Sequence, residues 1–193
     1  MKTVVGFLSR PHGFNVLLAL VKSNSHRLIR VYTHSLNPKS QDPLRTKRID
    51  FDLFVKKCQE YNIDLISIDS KKEQIIDFPD CDYIVEVSWR YLIPREITKK
   101  ARIAAFGIHR GKLPEYGGAE PIKKALLNGE KEIIISSHYL APIIDGGSVI
   151  CTKAHPVNYD KNCSMEENIQ RLRDEITPLF SELTFQTFRI LEK

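Results

Sequence analysis

Apolar positions along the chain fall into short runs separated by polar stretches bearing Gly and Pro, and the run lengths sort them into strands and helices. Residues 2–8 are short, β-branched and end at Ser9-Arg10-Pro11-His12-Gly13, which predicts a buried strand. Residues 14–22 carry apolar side chains on more than one face, the pattern of a helix covered by a sheet. A second strand is expected over 28–32. The polar stretch 34–49, with Pro38 and Pro43, reads as a long loop. Residues 50–61 read as a helix, and 64–68 and 82–87 as strands. Pro94 opens a short helix at a position where its missing N–H costs nothing. Residues 102–108 are a further strand, and 121–128 a helix stopped by Gly129. Two strands, 133–140 and 148–152, are joined hairpin-fashion through Asp145-Gly146-Gly147. Ser164-Met165-Glu166-Glu167 has capping-box spacing and starts a long terminal helix. In that helix Ile169, Leu172, Ile176, Leu179 and Leu183 should face the core, with Pro178 as a kink.

Strands alternating with helices at this spacing predict an α/β fold: a Rossmann-like, doubly wound, mostly parallel sheet, with an antiparallel strand pair in the C-terminal third and a long C-terminal helix. No repeat, low-complexity tract or linker interrupts the sequence, so 1–193 reads as one domain. At 42% hydrophobic and 27% charged residues the composition is that of an ordinary globular domain. No apolar run approaches the roughly 18 residues needed to span a bilayer, and the first residues lack a signal-peptide pattern. Cys58, Cys81, Cys151 and Cys163 show no C-x-x-C pair and no histidines at metal spacing, which predicts reduced thiols, a cytoplasmic setting and no metal site. The net charge of +5 is spread over pairs such as Lys56-Lys57 and Lys99-Lys100. Such a field attracts small anions and is too diffuse for nucleic acid. No Gly-x-Gly-x-x-Gly follows the first strand, which disfavours a dinucleotide dehydrogenase.

Candidate chemistry gathers in two stretches. His109 stands where a strand ends and the loop Arg110-Gly111-Lys112-Leu113-Pro114-Glu115-Tyr116-Gly117-Gly118 begins, at the carboxyl end of a strand where open α/β sheets bind ligands. A histidine there is either a general base or a ring bonded to a loop carbonyl. Asp145, in its Gly-flanked turn, is the best-placed carboxylate to serve such a base. His138, on the preceding strand, reads as a core or sheet-surface residue.

Together, His109, Leu113-Pro114, Gly118 and Pro121, followed after one helix by Asp145-Gly146-Gly147, resemble the signature of the 10-formyltetrahydrofolate-dependent formyltransferases. The resemblance implies that His109 and Asp145 are the catalytic histidine and aspartate. It implies that Trp89, Arg90, Tyr91, Leu92 and Ile93 line a folate pocket, with Ala141, Ile143 and Ile144 in the loop closing over the pterin. The implied partners are 10-formyltetrahydrofolate as cosubstrate and a small-molecule amine. A homodimer stays open. Gly13-Phe14-Asn15 resembles a phosphate-holding turn ahead of a helix, with Arg10 beside it; the alternative is an ordinary strand-to-helix turn. Arg173 stands where the resemblance expects a ribose-binding carboxylate, which favours an amino sugar nucleotide over glycinamide ribonucleotide as acceptor. The chain also departs from the pattern at Gly107, where the family has an oxyanion-stabilising asparagine. Further departures are Gly111 for a serine and Gly117 for an arginine. Three readings follow: an active formyltransferase, a folate- or nucleotide-binding domain that lost the oxyanion donor, and a formyl-folate hydrolase.

Overall fold

The apolar runs become strands because their side chains are sealed from water: Val4, Val5, Phe7 and Leu8 are each 0% exposed. A computed structural model describes residues 1–193. It contains β1 (Lys2–Leu8), α1 (Arg10–Val21), β2 (His26–Thr33), α2 (Phe51–Glu60), β3 (Asp64–Ser67) and β4 (Cys81–Val87). These are followed by α3 (Arg95–Thr98), β5 (Ala101–His109), α4 (Pro121–Leu127), β6 (Glu132–Tyr139), β7 (Val149–Pro156) and α5 (Met165–Leu191). The seven strands hydrogen-bond in the order β3-β2-β1-β4-β5-β6-β7, with the antiparallel pairings β5·β6 and β6·β7 at one end. The predicted doubly wound class is the observed one.

Two compact units divide the chain: Met1–Tyr91 with Glu96–Ala105, and Leu92–Arg95 with Phe106–Lys193. In the first, β1 runs parallel to β2 and β4, and β2 parallel to β3. Helix α1 begins at Arg10, earlier than residue 14, because Pro11 sits in the first turn where it forfeits no bond. Gly13 is therefore inside the helix, and its N–H donates to the Ser9 carbonyl at 3.1 Å. A Cβ at this glycine would stand 2.9 Å from the Leu8 carbonyl carbon, so close packing of helix on strand accounts for it. The stretch 34–49 is a tied loop. Asn37 N–H reaches the Thr46 carbonyl at 2.9 Å and Arg48 N–H the Ser35 carbonyl at 2.8 Å. The buried Arg48 guanidinium donates to Ser9 Oγ and the His34 carbonyl, and pairs with Asp50 at 2.7 Å.

In the second unit α5 lies on β6 and β7. Ile169, Leu172, Ile176 and Leu183 are buried as their spacing predicts, whereas Leu179 is half-buried and Phe180 takes the core position. Pro178 lies within the helix, which continues unbroken to Leu191. Ser164 and Glu167 form the capping box reciprocally, removing two unpaired backbone donors. Strand β7 extends to Pro156, beyond residue 152, because the polar Lys153 and His155 pair with Glu182 and Glu175 of α5.

Candidate active site

Side chains alternate across a strand, so Gly107 and His109 share one face of β5. The antiparallel register sets His138 opposite Gly107 and Ser136 opposite His109. Ser137 points the other way, its Oγ 2.8 Å from the Thr187 hydroxyl of α5. Ser136 anchors the loop after β5. Its hydroxyl donates to the Gly111 carbonyl at 2.8 Å and accepts the Leu113 N–H at 3.3 Å. Gly111 has no room for a side chain: a Cβ there would lie 2.6 Å from Pro121 Cβ and 2.9 Å from His109 Nε2. The serine that the resemblance expects at this position is excluded by that fit.

Asp145 reaches the same face from the β6–β7 connection. It adopts φ 54, the left-handed conformation that aspartate tolerates better than most residues. Gly147 allows the connection to pass close to β6, because a Cβ would stand 1.7 Å from the Tyr139 carbonyl oxygen. One carboxylate oxygen, Oδ2, accepts the Gly118 N–H at 2.8 Å and lies 3.3 Å from His109 Nδ1. The other, Oδ1, lies 3.6 Å from His138 Nε2.

His109 Nε2 donates to the Tyr116 carbonyl at 2.8 Å, as one of its two sequence readings has it, while Nδ1 faces Asp145. A carbonyl oxygen only accepts, so the proton of the neutral ring sits on Nε2 and Nδ1 is free to take another. Burial lowers the His109 pKa below the ordinary histidine value, opposed by the Asp145 charge. The neutral form of the ring therefore predominates near pH 7. Burial lowers His138 in the same way, again opposed by Asp145.

In the second unit Gly107 is buried, Ala141 half-buried, Leu92 exposed and Ile93 buried. Ile143 and Ile144, next to Asp145, are 71% and 65% exposed. In the first unit Trp89 stacks on His34 with ring centroids 4.1 Å apart. His34 Nδ1 donates to the Ile68 carbonyl at 2.5 Å and Nε2 accepts the Arg90 N–H at 3.2 Å. Tyr91 donates to the Asp69 carbonyl at 2.8 Å. The Arg90 Nη2 donates to the Leu36 carbonyl at 2.6 Å, while its Nε and Nη1 are buried without a partner. Arg10, Gly13 and Asn15 all lie in α1, which corrects their reading as a turn ahead of the helix. Sequence reasoning missed His34, whose signal exists only in three dimensions, while His138, read as a core or sheet-surface residue, is buried.

No group of three or more His, Cys, Asp or Glu side chains is placed to hold a metal ion, and no helix is long and apolar enough to cross a membrane. The molecule is an α/β protein whose doubly wound sheet carries an imidazole–carboxylate pair at the end of a strand. The chain belongs to the formyl transferase family, whose model matches residues 1–183. It is 25% identical over 191 residues to methionyl-tRNA formyltransferase of Staphylococcus aureus, covering 96% of this chain and 57% of that relative's length. A phosphoribosylglycinamide formyltransferase from Brucella melitensis shares the fold, with TM-score 0.69, 15% identity and coverage of 96% of this chain and 93% of that one. So does a sugar 3N-formyltransferase solved with dTDP and 5-N-formyl-THF, with TM-score 0.63, 17% identity and coverage of 100% and 63%.

Proposed function

We propose that this chain transfers a formyl group from 10-formyltetrahydrofolate to the amine of a small anionic acceptor, an amino sugar nucleotide or a glycinamide ribonucleotide-like molecule. The observation that carries the proposal is the pairing of His109 Nδ1 with Asp145 at 3.3 Å, within a chain matched along 1–183 by the formyl transferase family. Attack of the amine on the formyl carbon forms a C–N bond and releases a proton, which His109 Nδ1 accepts and Asp145 stabilises as an ion pair. Breaking the bond to the folate nitrogen returns a proton to that nitrogen, so the site ends as it began. Exposed Ile143 and Ile144 supply apolar surface for a pterin beside the acid–base pair, with Ala141 in the same loop. Trp89, Arg90, Tyr91, Leu92 and Ile93 carry over from the family as folate-lining residues. An anionic acceptor fits the first unit, where Arg10 and Arg48 bear electrostatically on Arg90 and two of the Arg90 nitrogens lack partners.

Gly107 supports a second reading, a binding domain without turnover, because the amide that stabilises the oxyanion is absent. Tetrahydrofolate release, followed with and without candidate amines, separates the readings. Release that needs an amine supports transfer. Release with formate and no amine marks a hydrolase, and folate binding without release marks a silent domain. His109→Ala should reduce amine-dependent release by about 10²–10⁴-fold.

A further inference from the structure

We infer that His138 is a third working member of the site: during transfer it shares one proton with Asp145 and His109, and its Nε2, once it carries that proton, supplies from β6 the hydrogen-bond donor that Gly107 does not supply from β5. The inference deepens the formyl-transfer reading and rests on it for the chemistry.

Gly107 and His138 are directly paired across the β5·β6 ladder. Opposed residues of an antiparallel pair have their Cβ positions about 4.5–5.5 Å apart on the same face. The imidazole of His138 thus occupies the side of the sheet on which a residue-107 side chain would have stood, in line with His109. Its Nδ1 lies 3.1 Å from the Tyr139 carbonyl and must donate to it, which leaves Nε2 unprotonated in the neutral ring. That nitrogen is buried, has no hydrogen-bond partner, and lies 3.6 Å from Asp145 Oδ1. His109 Nδ1 is likewise unprotonated and stands 3.3 Å from Oδ2.

Two lone pairs aimed at one carboxylate repel it, and the repulsion is large where water is excluded. A single added proton reverses its sign. On His138 Nε2 that proton makes a charge-assisted bond to Asp145 Oδ1, or is offered to an oxygen developing negative charge beside Gly107. The balance during transfer is one proton in and one out. The amine proton enters at His109 Nδ1 as the C–N bond forms, and a proton leaves the cluster for the folate nitrogen as its bond to the formyl carbon breaks. The other charged groups bearing on the cluster are Arg110 and Lys124, both acting on His109. From β7 the residue opposite His138 is the uncharged Val149.

The test has an arm independent of activity. In protein labelled with 15N-histidine, the ring nitrogens of His109 and His138 should titrate with a shared step, as coupled groups do, and Asp145→Asn should abolish it. Two independent single-step curves overturn the inference. In the kinetic arm, His138→Ala should lower kcat by about 10²-fold, with a smaller loss in His138→Gln, which keeps a donor. Adding Gly107→Asn to His138→Ala should restore at least about tenfold of that loss. An unchanged kcat in His138→Ala overturns the inference, and so does a loss that is no smaller in His138→Gln and is not relieved by Gly107→Asn. Should His138→Ala fail to fold, the wild-type titration decides alone. Absence of transfer in the wild type sinks the formyl-transfer reading, and the titration still judges the proton sharing.

Discussion

His109 stands between two acceptors, a carbonyl that fixes its tautomer and a carboxylate that faces its other ring nitrogen. The consequence is a definite pH dependence. Burial lowers the folded pKa of this ring below the ordinary value of about 6.5, so the neutral form predominates at neutral pH. As pH falls the base is lost only below that ordinary value. The acid limb of kcat/KM should accordingly lie below about 6.5; a limb at or above it would show a ring that is charged at rest. The meeting of His109 and Asp145 was legible in the sequence because strand ends and Gly-flanked turns announce themselves locally. The approach of His138 to Asp145 was not, since it depends on which residue faces His138 across β5, and a register is not written in either strand alone.

At the scale of elements, the segment that follows β4 is pinned by one buried histidine. His34 bonds both ring nitrogens while neutral and stacks on Trp89. Burial, helped by the charge of Arg90, pushes its pKa down to about 3. Between that value and the ordinary one the unfolded chain binds the proton and the folded chain does not. Stability should therefore be full above about 6.5 and fall progressively as pH drops toward 3, by on the order of a few kcal/mol. Urea unfolding read by Trp89 fluorescence, compared with His34→Gln, checks this: the variant should lose most of the slope. Helix α5 offers a second check. Ser164→Ala removes the capping box and should cost about 1 kcal/mol in thermal unfolding, with no effect on folate binding. The capping box was plain in the sequence, whereas the start of α1 was not. Arg10-Pro11-His12-Gly13 has the composition of a loop, and only the packing of Gly13 against Leu8 makes it the first turn of a helix.

For the molecule as a whole, the order of strands and helices was readable because each element keeps its own hydrophobic period. The acceptor was not, because the specificity of a small-molecule site is set by side chains gathered from distant points of a chain. The chain spans 57% of the length of the methionyl-tRNA formyltransferase it resembles, so the acceptor must be established on this protein itself. A reduced folate at a hundred times its dissociation constant should stabilise the fold by about 2.7 kcal/mol, read as a rise in Tm. The most direct measurement is the single-turnover rate of formyl transfer by Asp145→Asn beside the wild type, with folate affinity measured on both. The expected result is a fall of about 10²–10⁴-fold in rate with folate affinity little changed. Equal rates in the two proteins would contradict the assignment of proton transfer to the His109–Asp145 pair.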